Sequence, residues 1–130
     1  MTSSPTTAAA PRAAITLTTG LEDAEKVTVA FLVAVGAAES GRSTLMFLTK
    51  ESVRPAVSGF PRSVACDGCP PLVDLMQRYA DAGGTYIACG ICVKSKGIDP
   101  TTLVENARVA GTVQLWEWIG EGSAPVTFSF

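Results

Sequence analysis

Residues 71–97 read PLVDLMQRYADAGGTYIACGICVKSKG, and this stretch decides the fold. Leu72, Leu75, Met76 and Tyr79 recur at helical spacing, with Asp74, Gln77, Arg78 and Asp81 on the opposite side. One apolar stripe on a polar helix is the pattern of a helix laid against a core. The spacing predicts a helix over 71–82, stopped by Gly83-Gly84. Residues 85–89, TYIAC, form a β-prone run, and Gly90 to Lys96 turns into a second helical segment. A strand held between two helices belongs to a parallel sheet, where helical crossovers join the strands.

Upstream, residues 13–18, AAITLT, read as a strand that ends in the turn Thr18-Thr19-Gly20. A long helix follows. Glu22, Asp23 and Glu25 favour its first turn, and Gly41 stands where a terminating glycine belongs. Ala24, Val27, Phe31, Val35 and Ala38 share one face, and the other side is apolar too, which predicts burial on both sides. Gly36 inside it suggests a close contact with a helix or the sheet. Residues 43–49, STLMFLT, are a nearly continuous apolar strand of the buried parallel type. Residues 50–70 carry Pro55, Gly59, Pro61, Gly68 and Pro70 and read as a loop of unusual length, a common site of function.

Downstream, Asp99-Pro100 supplies a cap and first position for a helix over 100–107. Arg108 to Ala110 makes a very short strand. Residues 112–120 suit a helix with Leu115, Trp116 and Ile119 inward and Trp118 at an interface or partly exposed. Residues 125–130, PVTFSF, alternate strictly and close the chain as a fifth strand. The reading is an α/β sandwich on a five-stranded, mainly parallel sheet. It forms a single domain over 13–130 behind a disordered tail, 1–12, of Ser, Thr, Ala and Pro.

The 130 residues suffice for one core without a metal or disulfide. Lys plus Arg is 10 and Asp plus Glu is 12, for a net charge of −2, which excludes a broadly basic nucleic-acid binder. Charged residues make up only 17% and mean hydropathy is +0.30, the first sign of a homo-oligomer with a covered apolar face. No apolar run reaches the roughly 18–20 residues of a membrane span. The N-terminus lacks the order of a secretory signal, and its single Arg12 is thin material for a transit peptide. These features point to the cytoplasm.

The chain has no His, so histidine triads, dyads and zinc motifs are excluded, and any general base is Asp, Glu, Lys or water. Its four Cys form two CxxC units, Cys66-Asp-Gly-Cys69 and Cys89-Gly-Ile-Cys92, nineteen residues apart. That spacing suits a four-thiolate metal site of Cys66, Cys69, Cys89 and Cys92. The insert between them reads as helix plus strand rather than the hairpin of a zinc ribbon, and no cofactor is otherwise implied. The loops after the second and third strands open on one carboxyl edge, where α/β sheets hold their ligands.

Cys89 ends a strand before a helical turn, with Lys94 and Lys96 close behind. Backbone N–H groups and two ammoniums would favour its thiolate, and Gly90 would admit a partner sulfur. The alternative for Cys89 is a small buried hydrophobe. Cys66 and Cys69 read as resolving thiols or plain surface thiols in a reducing compartment. Thr18-Thr19-Gly20 could cradle an anion, but no phosphate-binding glycine motif is present. Glu51 and Asp67 are candidate acids that also read as solvated loop residues.

These residues together carry a resemblance. The order EDAEKVTVAFLVAVGAAESG, PPLVDLMQRYADAGG, YIACGICVKSKGI, LVENARVAGTVQLWEWI and VTFSF resembles the DsrE/DsrF/TusD sulfur-relay family, nearest its YchN-like branch, over 13–130. The resemblance implies a three-layer DsrEFH-like sandwich that assembles as a trimer or hexamer. It also implies a persulfide carried on the Cys that ends the third strand, here Cys89, with Cys92 matching the second Cys of a CGxC pattern. A sulfur donor and an acceptor would then be the partners. The Cys66–Cys69 unit lies outside the family pattern. Two other readings stand beside sulfur transfer: a non-catalytic oligomeric module for a small anion or partner protein, and the four-Cys metal domain.

Overall fold

The computed structural model describes residues 11–60, 64 and 66–130. Five strands, β1 (Arg12–Leu17), β2 (Ser43–Leu48), β3 (Thr85–Cys89), β4 (Ala107–Ala110) and β5 (Val126–Ser129), form one sheet in the order β4-β3-β2-β1-β5. Every pairing is parallel. The expected five-stranded sheet is therefore parallel throughout. The helices are α1 (Ala24–Glu39), α2 (Leu72–Asp81), α3 (Gly90–Ser95) and α4 (Thr112–Ile119).

The main core lies between the sheet and the layer formed by α1 and α2. Ile15, Leu17, Met46, Leu48, Tyr86 and Ala88 face Phe31, Val35, Leu72, Leu75 and Tyr79 there. The α2 stripe is as expected: Leu72, Leu75, Met76 and Tyr79 are buried. Helix α1 differs from expectation. Its inward side is fully buried, but Val29 and Leu32 on the other side are 42% and 40% exposed, because no element among the described residues covers them. A Cβ on Gly36 would meet nothing within 4 Å, so this glycine serves no close contact.

The opposite sheet face carries a smaller cluster of Leu45, Phe47 and Ile87 beneath Leu115 and Trp118 of α4. The tryptophans exchange their expected places: Trp118 packs inward and Trp116 is 67% exposed. The reason is Arg12. Placed in the tail by its sequence, it is instead the first residue of β1 and only 7% exposed. Its guanidinium lies 4.0 Å from the Trp118 ring centre. It donates to the carbonyls of Ile119 (3.2 Å), Ser123 (2.7 Å), Trp118 and Glu121. One buried cation thus satisfies the carbonyls that the end of α4 leaves open, and draws Trp118 under the helix. The rest of the expected tail, 1–10, lies outside the described residues.

Two further segments depart from expectation. Within the 50–70 loop, Lys50–Ala56 form a 3-10 helix, capped where Ser52 Oγ donates to Leu17 O (2.6 Å) and accepts from Thr49 N (2.8 Å). The helix expected at 100–107 stops after the 3-10 turn Pro100–Thr102, although Asp99 caps it as its sequence suggests. Val104 N donates to Ala56 O and Ser58 N to Thr102 O, each at 2.8 Å. Those bonds to a neighbouring segment hold 103–104 extended and displace the helical ladder.

Candidate functional site

Strand β3 delivers Cys89 to the carboxyl edge of the sheet, where it becomes the residue that precedes α3. Its half-buried thiol packs on the α4 side, against the cluster of Leu45, Phe47, Ile87, Ala110, Leu115 and Trp118. Cys92, one turn on, is also a free, half-buried thiol but belongs to the α1/α2 side. The two thiols therefore sit on the same short turn and look into different cores. The sequence spacing makes them neighbours, while the helical rotation between them parts their side chains.

Cys92 has a specific partner. The backbone N–H of Lys50 donates to its sulfur at 3.1 Å. Lys50 has φ 55°, the single non-glycine in the left-handed region among the described residues. Such a conformation costs about 1–2 kcal/mol for an L-residue and is held in place by surrounding structure. The clamp is the capped 3-10 turn that begins there. Lys50 is the site residue that sequence reasoning missed. Its place just after β2, on the same edge, was legible; its backbone angle was not.

Glu51 organises the rest of this rim. Its carboxylate pairs with Lys96 Nζ at 2.6 Å and Arg54 Nε at 2.7 Å. Hydrogen bonds from Lys96 and then Arg54 hold it below the usual carboxylate range. Glu51 is thus a cross-brace rather than a solvated loop acid. A Cβ on Gly20 would come within 2.6 Å of Glu51 O, so only glycine lets the β1–α1 turn close on this segment. The ammonium of Lys96 is committed to Glu51 and is not presented to Cys89. Lys94 is exposed and has no ion pair among the described residues. Gly90 lies in ordinary contact with β4: a Cβ there would meet Val109 Cγ1 at 3.4 Å. Asp67 is exposed in the turn between Cys66 and Cys69.

Cys66 and Cys69 are joined by a disulfide, with Cα atoms 5.2 Å apart. Gly68, at φ +75°, turns the chain so that the two sulfurs meet. This corrects the expectation of four separate thiols. It also leaves the four-thiolate metal site unassembled: no three His, Cys, Asp or Glu are grouped as metal ligands would be among the described residues.

The DsrE/DsrF-like family model matches residues 12–128. The fold is that of the YchN protein from E. coli, at TM-score 0.72 and 17% identity, covering 91% of this chain and 99% of that one. It is also similar to a protein of unknown function, MTH1491 from Methanobacterium thermoautotrophicum, at TM-score 0.62 and 14% identity over 91% and 99% of the two chains. A third likeness is BT1422 from Bacteroides thetaiotaomicron, at TM-score 0.52 and 18% identity over 88% and 94%. Among curated protein sequences, none matches this chain. No helix among the described residues is long and apolar enough to cross a membrane.

Proposed function

The chain belongs to the DsrE/DsrF-like family, and on that premise we propose that it handles sulfur, carrying a persulfide on Cys89 and passing it to a thiol or protein acceptor. The placement of Cys89 carries this reading: a free, half-buried thiol at the carboxyl end of a central strand, held on a rigid element beside a short helix. The Cys89 thiolate attacks the outer sulfur of a donor persulfide. A new S–S bond forms, the donor S–S bond breaks, and the donor leaves as a thiolate. An acceptor thiolate then attacks the outer sulfur and regenerates Cys89.

Cys92 has a distinct part in this reading. If its thiolate attacks the inner sulfur of the Cys89 persulfide, hydrosulfide leaves and a Cys89–Cys92 disulfide forms. The two side chains face different cores, so that discharge requires α3 to turn. The bond between Lys50 N–H and Cys92 holds it back. Stable carriage on Cys89 is favoured over self-discharge. Lys94 supplies the positive charge that is open to an incoming anionic sulfur donor. A reducing compartment, such as the cytoplasm, keeps Cys89 available.

The same reading includes a homo-oligomer, in keeping with the trimer or hexamer implied by family resemblance. It is supported by the uncovered α1 side and by Val126 and Phe128 of the edge strand β5, each about half exposed. Between them lies a groove of about 320 Å³ lined by Val33, Ala37, Val126 and Phe128. Light scattering on the purified chain reads the subunit number, and a monomer at micromolar concentration would remove this part.

The deciding experiment incubates the protein, its Cys66–Cys69 disulfide intact, with glutathione persulfide and reads its mass without reductant. The wild-type chain gains one sulfur, mapped to Cys89. Cys89→Ser gains none, and Cys92→Ser still loads. Equal loading of Cys89→Ser would end the proposal.

A further inference from the structure

The Cys66–Cys69 disulfide lies in a nine-residue excursion, 64–72, whose two ends are already fixed without it. Val64 is 1% exposed and Leu72 is fully buried, both in the main core, and Leu72 N donates to Val64 O. A second backbone bond, Cys69 N to Cys66 O at 3.1 Å, holds the turn between the sulfurs. The disulfide itself spans a sequence separation of only three. A cross-link constrains an unfolded chain in proportion to the logarithm of the loop it closes, so this one contributes little to folding. The chain also has a large core in which neither cysteine takes part.

Access points the same way. Both sulfur-bearing residues are half-exposed, and Asp67 and Gly68 between them are exposed. Pro70 and Pro71, which follow, are exposed as well, so among the described residues no element covers this loop from outside. A disulfide that is open to attack and that holds little together falls among those that exchange readily, whereas structural disulfides close long loops and resist reduction.

We infer that Cys66 and Cys69 form a reversible dithiol–disulfide couple, a redox site separate from Cys89 whose co-substrate is a thiol reductant. A thiolate of the reductant attacks one sulfur of the pair. The Cys66–Cys69 bond breaks, a mixed disulfide forms, and the other protein sulfur leaves as a thiolate and takes a proton. A second reductant thiolate attacks the reductant-derived sulfur of the mixed disulfide and releases the second protein thiol. Two electrons enter the protein, and two thiols of the reductant become one disulfide. Oxidation by the reductant's own disulfide runs the same steps backwards. Gly68, at φ +75°, provides the left-handed turn that the bonded state uses to bring the two sulfurs together.

Glutathione is the probe for this site. The native chain is equilibrated in graded ratios of reduced and oxidised glutathione, quenched with an alkylating agent, and mapped peptide by peptide. Cys66 and Cys69 should become alkylated together, return to the bonded form in oxidised glutathione, and leave the circular dichroism unchanged. The native chain should be reduced within about tenfold of the rate of the chain unfolded in urea, since access is not limiting. A bond that resists glutathione until the protein is unfolded would overturn the inference, as would two thiols that stay apart in oxidised glutathione. Cys89→Ser should give the same titration, so this result and the persulfide result are read independently.

Discussion

The two CxxC units share a spacing and share nothing else. In Cys66-Asp-Gly-Cys69, a left-handed glycine folds the chain back and the sulfurs bond. In Cys89-Gly-Ile-Cys92, the chain winds into α3, and the thiols are turned to opposite sides of the sheet and stay free. The first unit stands on an exposed excursion and the second on the end of a central strand. The difference teaches that cysteine spacing sets what is within reach, while the backbone path between the cysteines selects the chemistry.

The largest test of this contrast is functional. Cys89→Ser should reduce persulfide loading to background, while Cys66→Ser should leave it within about twofold, since the two units occupy separate environments. Mass spectrometry after exposure to a persulfide donor reads both, and equal losses would merge the two units into one site.

The next test concerns what closes the excursion. Leu72→Ala should cost about 2–5 kcal/mol, the range for truncating a buried leucine. Cys69→Ser should cost about 2 kcal/mol or less, because the loop it closes is so short. Urea unfolding under oxidising conditions compares them, and a larger loss from Cys69→Ser would make the disulfide a structural staple.

Gly68→Ala tests the turn. A left-handed alanine costs about 1–2 kcal/mol, so the glutathione titration should shift about tenfold toward the dithiol. By contrast, Gly90→Ala should change stability by less than about 1 kcal/mol, since it only adds an ordinary contact in a helical first turn. Unchanged stability with lost loading would reveal a need for the open space beside Cys89.

The smallest effect belongs to Glu51. Its carboxyl is held below the ordinary 4.5 by Lys96 and Arg54, so folding is stabilised above that value and loses this contribution as pH falls through the lowered one. Thermal melts of wild type and Glu51→Gln should therefore differ at pH 7 and converge as pH falls through the lowered value. A gap that does not narrow as the pH is lowered would mean that the brace acts by packing rather than by charge.

Much of the fold was legible because local physics and burial agreed. The α2 stripe, the β3 run and the alternation of β5 each announce their element, and the carboxyl edge follows from parallel order. Arg12 was illegible because its partners, the carbonyls closing α4, lie more than a hundred residues away. Lys96 read as a cation for Cys89 because nothing local shows that Glu51 reaches it from another loop. The segment after Pro100 carried correct capping signals and still failed as a helix, since its backbone found partners at 56–58.

By itself, the sequence determined the alternation of strands and helices, the inward stripe of α2, the place of Cys89 at a strand end and the absence of histidine chemistry. All of these are set by periodicity, capping and composition within a few residues. The tertiary structure alone decided which thiols meet, which cation is free, which tryptophan is buried and which face of α1 stays open. Those outcomes depend on contacts between segments far apart in the chain, and pairing across the fold leaves no periodic trace in the residues that make it.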